Sequence, residues 1–406
     1  MSIFKSCDIR GIYGRDLDDS VAYRLGRAVG TRLSGREVLV AGDLRLSTPP
    51  LARALMQGLQ GSGTHVLDAG RIPTPALYYA LRRLRAAGGV MVTASHNPAP
   101  YNGFKLMLGE WPITEAELRE IAVEMEAGVF RQGQGRHRRV RVLADYAEML
   151  ARSFPDLGLH RLVVDAGNGS MGIVALPILR RLGQQVAPLY CEPDGAFPHR
   201  DPNPAVPSHL LALQREVRRR EAELGVAYDG DGDRVVFVDE TGAVLPADRA
   251  LVLLIRHLLA EQPGAAVVYD LKSSSVVPEA ILAAGGRPIM ERSGHGFIKR
   301  RVIEEGAALG GEVSGHYFFG ALGGDDALYA TLLMLRVLDR LGAPLSAAMA
   351  AVPSYPITPD IRLPCPPERA ERILLDLRTA FAAYPLSLLD GVRITFPDGW
   401  ALARLS

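Results

Sequence analysis

Short apolar runs alternate along this chain with longer stretches whose apolar residues recur every three or four positions. Glu37–Asp43 (EVLVAGD) is the first such run and reads as a buried strand. Thr48 then stands where it would cap a helix carrying Pro49 and Pro50 in its first turn and running towards Gly61. Thr64–Gly70 predicts the next strand, Pro75–Arg85 a helix, and Gly88–Ser95 (GGVMVTAS) another strand. A second set opens at His160–Asp165 and continues in a helix around Ile173–Leu182. A third opens near Asp248 with helix ALVLLIRHLLAE, strand AAVVYD and helix VPEAILAAGG. Strands alternating with helices build βαβ units and a mostly parallel sheet, here three times over. Ligands of such sheets bind where strands end in loops.

The last stretch breaks the rhythm. Asp360–Leu363 predicts a short strand, Pro367–Ala383 a helix, and Gly391–Phe396 should pair with Trp400–Leu405 across a Pro-Asp-Gly turn. Boundaries are expected in the Gln/Gly/Arg-rich Gly133–Arg139, near Thr241–Asp248, and in the Pro-rich Val352–Pro359. The fold class is thus α/β: three similar α/β domains (1–140, 141–243, 244–352) with mixed, mostly parallel sheets. A C-terminal α+β domain (353–406) follows, and it is expected to stop inside its second strand.

Composition narrows the function classes. The chain has 406 residues, 48% apolar and 22% charged, enough for several cores of ordinary soluble type. A net charge of only +1 argues against a broad nucleic-acid footprint but leaves room for a local basic cleft. Cys7, Cys191 and Cys365 lie far apart, match no metal or redox spacing, and suit a reducing compartment. MSIFKSCDIR lacks the apolar core of a signal peptide, and no run reaches the roughly 20 apolar residues of a membrane span. A cytoplasmic enzyme or binding protein is expected, without nucleic-acid or membrane partners. Nothing in the pattern fixes an oligomeric state.

Five segments interrupt the apolar pattern with polar residues at strand ends. Cys7-Asp8-Ile9-Arg10-Gly11 could clamp an anion, but taken alone it reads more readily as a surface ion pair. Thr93-Ala94-Ser95-His96-Asn97-Pro98, followed by Tyr101-Asn102-Gly103-Phe104-Lys105, offers an exposed hydroxyl with a lysine close by. It lacks the G-x-S-x-G of a hydrolase elbow, and its bland reading is an Asx-type turn. Asp229-Gly230-Asp231-Gly232-Asp233-Arg234 gathers three carboxylates around one point, as a hard divalent cation requires. An EF-hand fails here, because Arg234 occupies the position that needs Gly and the flanks read as strands. Gly311-Glu312-Val313-Ser314-Gly315-His316 follows Ser293-Gly294-His295-Gly296-Phe297-Ile298-Lys299. On an extended backbone Glu312, Ser314 and His316 would share one face and suit a polyhydroxyl ligand. Either histidine could instead be a structural residue. In Gly399–Ser406, Arg404 and Ser406 would share a strand face and could donate to phosphate.

In this order and spacing the five segments resemble the α-D-phosphohexomutase superfamily, most closely its bacterial phosphomannomutase/phosphoglucomutase group. TASHNP with YNGFK, DGDGDR and GEVSGH carry the resemblance, which runs from Ile3 to the last residue. It implies four domains around a central cleft and reversible phosphate transfer between C1 and C6 of a mannose or glucose phosphate. Ser95 would carry the phosphoryl group and, with Asp229, Asp231 and Asp233, hold one Mg²⁺. Arg10, Lys105 and His316 would lie at the reacting groups, with Arg234 and His295 beside them. Glu312 and Ser314 would read sugar hydroxyls, and Arg404 and Ser406 would begin a phosphate cradle. A hexose 1,6-bisphosphate is the implied intermediate.

Two departures stand out: Cys7 replaces the relatives' usual aromatic or polar residue, and the chain ends where the cradle loop would continue, so weak activity is expected. Alternatives are a phosphoglucosamine mutase, disfavoured by Val313 and Thr93, and a catalytically impaired sugar-phosphate-binding paralogue. Against the paralogue, binding alone needs neither Ser95 nor three aspartates.

Overall fold

The computed structural model describes residues 3–405 and contains four sheets. The first holds β1 (Ile9–Ile12), β2 (Glu37–Gly42), β3 (His65–Arg71), β4 (Gly88–Val92), β5 (Tyr101–Leu108), β6 (Trp111–Pro112) and β7 (His137–Arg139). Their order is β1-β5-β4-β2-β3-β7, with β6 on β5. Strands β4, β2, β3 and β7 run parallel, and β1 and β5 form an antiparallel edge. The second sheet orders β8 (Arg161–Asp165), β9 (Gln185–Leu189), β10 (Leu224–Tyr228) and β11 (Val235–Asp239) as β11-β10-β8-β9. The third orders β12 (Ala266–Asp270), β13 (Arg287–Glu291), β14 (Leu309–Gly311), β15 (Tyr317–Phe319) and β16 (Gly324–Asp325) as β13-β12-β14-β15-β16. Each repeats one plan, a parallel centre with an antiparallel edge.

The fourth sheet is small and antiparallel: β17 (Leu386–Ser387), β18 (Val392–Phe396) and β19 (Gly399–Ala403). Asp360–Leu363, expected as a strand, is irregular chain without a ladder. Its apolar residues Ile361 and Leu363 face solvent, so no core rewards pairing there. The helix Pro367–Ala380 ends three residues earlier than its apolar pattern suggests and buries none of its side chains. Arg393 ties this unit to the third through a bond to the Leu271 carbonyl (3.1 Å) and stacks its guanidinium on Trp400. No helix among the described residues is long and apolar enough to cross a membrane.

The hydrophobic core runs through the first three units without a break. One face of the first sheet packs Leu39, Leu67 and Met91 on the helix Thr74–Leu84; the same cluster continues through Tyr146, Val226, Leu254 and Leu333. The other face is covered by the helices Asp19–Arg32, Thr48–Gly61 and Glu115–Ala127. The first two of these cross at Gly26 and Gly58. A Cβ on Gly58 would lie 2.2 Å from the Tyr23 carbonyl oxygen, and one on Gly26 2.2 Å from that of Leu55.

That crossing gives a test on the face of the first sheet turned away from the continuous core. Gly58→Ala should lower unfolding free energy by about 1–3 kcal/mol through overpacking, with turnover of the folded protein nearly unchanged. Denaturant titration beside an activity assay reads both.

Candidate active site

Three of the polar segments lie at the carboxyl ends of strands with a parallel neighbour, where the backbone leaves the sheets. Ser95 follows β4, Asp229 follows β10 and Glu312 follows β14. The continuous core fixes these ends against one another, which a set of loops on separate domains could not do.

Ser95 is buried and sits in the left-handed region at φ +49°. Its backbone is held on both sides: its N–H donates to Thr93 Oγ1 (2.8 Å) and its carbonyl accepts from Arg45 Nη2 (2.8 Å). Arg45 is fully buried, and it also donates to the carbonyls of Asn97 (2.5 Å), Pro98 (2.7 Å) and Tyr101 (3.0 Å). Asp43, at the end of β2, accepts from Arg45 Nε, Thr48 Oγ1 and Thr93 Oγ1. Thr48 therefore does not cap its helix; its hydroxyl is spent on Asp43 (2.6 Å), and Ser47 precedes the helix without a side-chain cap. Arg10, on β1, donates to Asn97 Oδ1 (2.5 Å) and pairs with Asp8. Thus Arg45, Asp43 and Thr93 build the serine loop, and no spacing in the sequence singled out Arg45 or Asp43.

The hydroxyl so presented donates to Asp229 Oδ2 at 2.6 Å. Asp229 Oδ1 accepts the backbone N–H groups of Gly232, Asp233 and Arg234, so this aspartate also nucleates its own loop. Gly230 is required by close approach, since a Cβ there would lie 2.5 Å from the Ser95 carbonyl oxygen. Asp231 Oδ2 accepts from Thr74 Oγ1 (2.6 Å) and Lys105 Nζ (2.7 Å), and Lys105 also pairs with Asp233. Burial and the neighbouring Asp233 and Asp231 push Asp229 well above the usual carboxylate range. Burial would also raise Asp233, but the charges of Lys105 and Arg234 outweigh it and hold it below that range. Burial would lower Lys105, yet Asp231 and Asp233 keep it firmly charged.

The three aspartates place ligand atoms within 4.8 Å of one another, and Asp231 Oδ1 and Asp233 Oδ1 are buried without hydrogen-bond partners. Hard oxygen donors left unpaired in this way fit a divalent cation.

Arg234 leads into the third unit: its Nε donates to His316 Nε2 (2.8 Å), while His316 Nδ1 bonds Asp325 Oδ2 (2.6 Å). An accepting Nε2 places the imidazole proton on Nδ1, directed at Asp325. His295 lies with its ring centroid 5.9 Å from that of His316, both nitrogens unpartnered. Burial pushes it far below the usual histidine range, so it is neutral. The extended face expected for Glu312, Ser314 and His316 does not form. Residues 312–315 make a tight turn, closed by the Gly315 N–H on the Glu312 carbonyl, with Gly315 at φ +93°. Glu312 Oε2 and Ser314 Oγ are buried and unpartnered on this turn, and His316 is bonded to Arg234 and Asp325 instead. Burial and the Glu312 charge raise Asp270, at the end of β12, to about 6. Cys7 packs against Gly294 and Gly296, and burial and then Asp8 push its thiol up to about 12. Arg404 pairs with Asp390 (2.5 Å), and Ser406 lies outside the described residues.

The phosphoglucomutase/phosphomannomutase family matches in three consecutive alpha/beta/alpha domains: I at residues 1–132, II at 144–242 and III at 246–355. The phosphomannomutase/phosphoglucomutase of Pseudomonas aeruginosa is 37% identical over 412 residues, covering all of this chain and 89% of that protein. The chain belongs to this family. Phosphoglucomutase from Neisseria meningitidis is 35% identical, again over the whole chain and 90% of its own length. A family protein from Burkholderia thailandensis superposes with a TM-score of 0.93 at 36% identity, covering 100% of this chain and 90% of that structure.

In this phosphohexomutase fold Arg45 should be the most sensitive support of the site. Arg45→Met leaves Asp43 and four carbonyls without their buried partner and should cost about 3–5 kcal/mol. Denaturant unfolding checks it; a loss below about 1 kcal/mol, the scale of an exposed pair, would mean the loop is held otherwise.

Proposed function

We propose that this family member moves a phosphoryl group between C1 and C6 of mannose or glucose phosphates, with Ser95 as the carrier. The observation behind this reading is a strained, buried serine whose hydroxyl bonds Asp229 within a cluster of three aspartates and Lys105. Phosphoryl transfer depends chiefly on positioning and on neutralising charge, and this site is built for both.

In the first half-reaction the bond from phosphorus to Ser95 Oγ breaks as a bond to a free sugar hydroxyl oxygen forms. The hydroxyl proton passes to a base, for which His316 is assigned through the Nε2 that now accepts from Arg234. The product is a hexose 1,6-bisphosphate. It turns in the cleft; a bond from its other phosphorus to Ser95 Oγ then forms as the bond to the sugar oxygen breaks, and that oxygen regains the proton from His316. Lys105, Arg10 and Arg234 offset charge on the transferring group. Asp229, Asp231 and Asp233 would hold Mg²⁺, which when bound supplies further charge neutralisation.

His295, neutral and unpartnered, is assigned to the sugar phosphate. Glu312 and Ser314 are assigned to sugar hydroxyls, because their buried free oxygens need donors. Arg404 and Ser406 are assigned to the non-reacting phosphate by the family resemblance alone. A phosphoglucosamine mutase remains the alternative for the same site.

Two experiments test this reading. Ser95→Ala should cut kcat by several orders of magnitude and abolish the phosphate found on the purified protein by mass spectrometry. Near-normal turnover in that variant would overturn the assignment. Chelation should abolish activity, Mg²⁺ should restore it, and one equivalent of metal should appear on elemental analysis; full turnover in excess chelator would refute the metal site.

A further inference from the structure

Lys299 takes no part in the site just described, yet it lies directly behind it. The lysine belongs to the helix His295–Glu304 of the third unit and is 1% exposed. Its Nζ is planted in the first unit, 3.0 Å from the ring centroid of Tyr78 and 3.8 Å from Met107 Sδ. Tyr78 sits on the helix whose first residue, Thr74, bonds Asp231. Met107 is two residues beyond Lys105 on β5. Gly324 packs against the amine, since a Cβ there would lie 3.1 Å from Nζ. The next residue is Asp325, the carboxylate that bonds His316.

A buried amine without a carboxylate partner is expensive, and its hydrophobic burial would be better served by Met or Leu. The cation–π contact offsets part of that cost. The charged groups that face Lys299 are Asp325, foremost, then Lys105, Asp233 and Glu110. Burial pushes the amine down to about 7, so its charge is lost as pH rises through neutrality.

We propose that Lys299 is a positioning residue for the transfer, fixing by its charge the Asp325 carboxylate that orients His316 towards Arg234. The residue thereby couples the seating of the third unit on the first to the state of the reacting groups. This inference rests on the reading of His316 as a group beside the transferred phosphate.

The test uses the full chain with Lys299→Met, Lys299→Arg, His316→Asn and the Lys299→Met/His316→Asn double variant. Rates are followed from about pH 6 to about pH 9. Lys299→Met should lose about tenfold or more in kcat with KM within about twofold. Its thermal midpoint should hold or rise, because the buried amine is gone. Lys299→Arg keeps its charge throughout and should lack the wild-type fall in kcat above neutral pH. The double variant should be no slower than His316→Asn, as expected of residues acting through one chain.

Wild-type kcat and pH profile in Lys299→Met, or losses that multiply in the double variant, would overturn the proposal. Should Lys299→Met not fold, the Lys299→Arg profile decides: a fall like that of the wild type refutes it and a flat limb supports it. Failure of the site reading is separate, and shows as retained turnover in Ser95→Ala. If Ser95→Ala and His316→Asn are slow while Lys299→Met is not, the inference alone fails.

Discussion

Three buried aspartates at alternate positions repel one another unless positive charge is brought to them. In this chain Lys105 brings it from the neighbouring sheet, Arg234 from the loop's own end and a cation from solution in the proposed holoenzyme. The requirement reaches far into the fold. Lys105 on β5 can bridge Asp231 and Asp233 only if the first unit is docked on the second, whose β10 leads into the aspartate loop. Thr74 can reach Asp231 only if its helix packs between those units. Arg234 and His316 pair across an isolated bridge joining the second unit to the third. Assembling the charge cluster and docking the units are therefore one event, and the unbroken core beneath them is its apolar counterpart.

The serine loop answers a different constraint. A non-glycine residue in the left-handed region costs free energy, and strain of this kind persists only where surroundings over-determine it. Arg45 does so with its guanidinium spread over four carbonyls, and Asp43 neutralises that guanidinium in the dry interior. Ser95 then meets Asp229 without searching for a rotamer, which is the preorganisation that transfer chemistry exploits.

Much of this was legible in the sequence. Strand-length apolar runs ending in polar clusters located Ser95, the aspartate loop and the Glu312 turn, because buried parallel strands must expose chemistry at their ends. What escaped notice were partners brought from afar by topology. Arg45, Asp43 and Thr74 sit among ordinary helix-start residues, and their role exists only after β2, β4 and the second unit come together. Alternation misled at Glu312-Val313-Ser314, since Gly315 permits a turn that a periodicity of two does not reveal. The same failing predicted a strand at Asp360–Leu363, where local pattern met no surface to bury against.

The distribution of unpaired buried polar atoms completes the physical argument. Natural interiors tolerate few of them, since each costs about 1–3 kcal/mol. Among the described residues Arg10 Nε, Asp231 Oδ1, Asp233 Oδ1, both His295 nitrogens, Glu312 Oε2 and Ser314 Oγ are such atoms at the candidate site, beside Ser170 Oγ, Arg249 Nε, Ser273 Oγ, Arg301 Nε and Asp325 Oδ1 elsewhere or behind it. Those at the site are of complementary kinds. In the proposed reading the aspartate oxygens take a cation, the arginine nitrogen faces a phosphate, and Glu312 and Ser314 take hydroxyl groups. A metal, a phosphate and a sugar ring would satisfy them together, and no one of the three would do so alone.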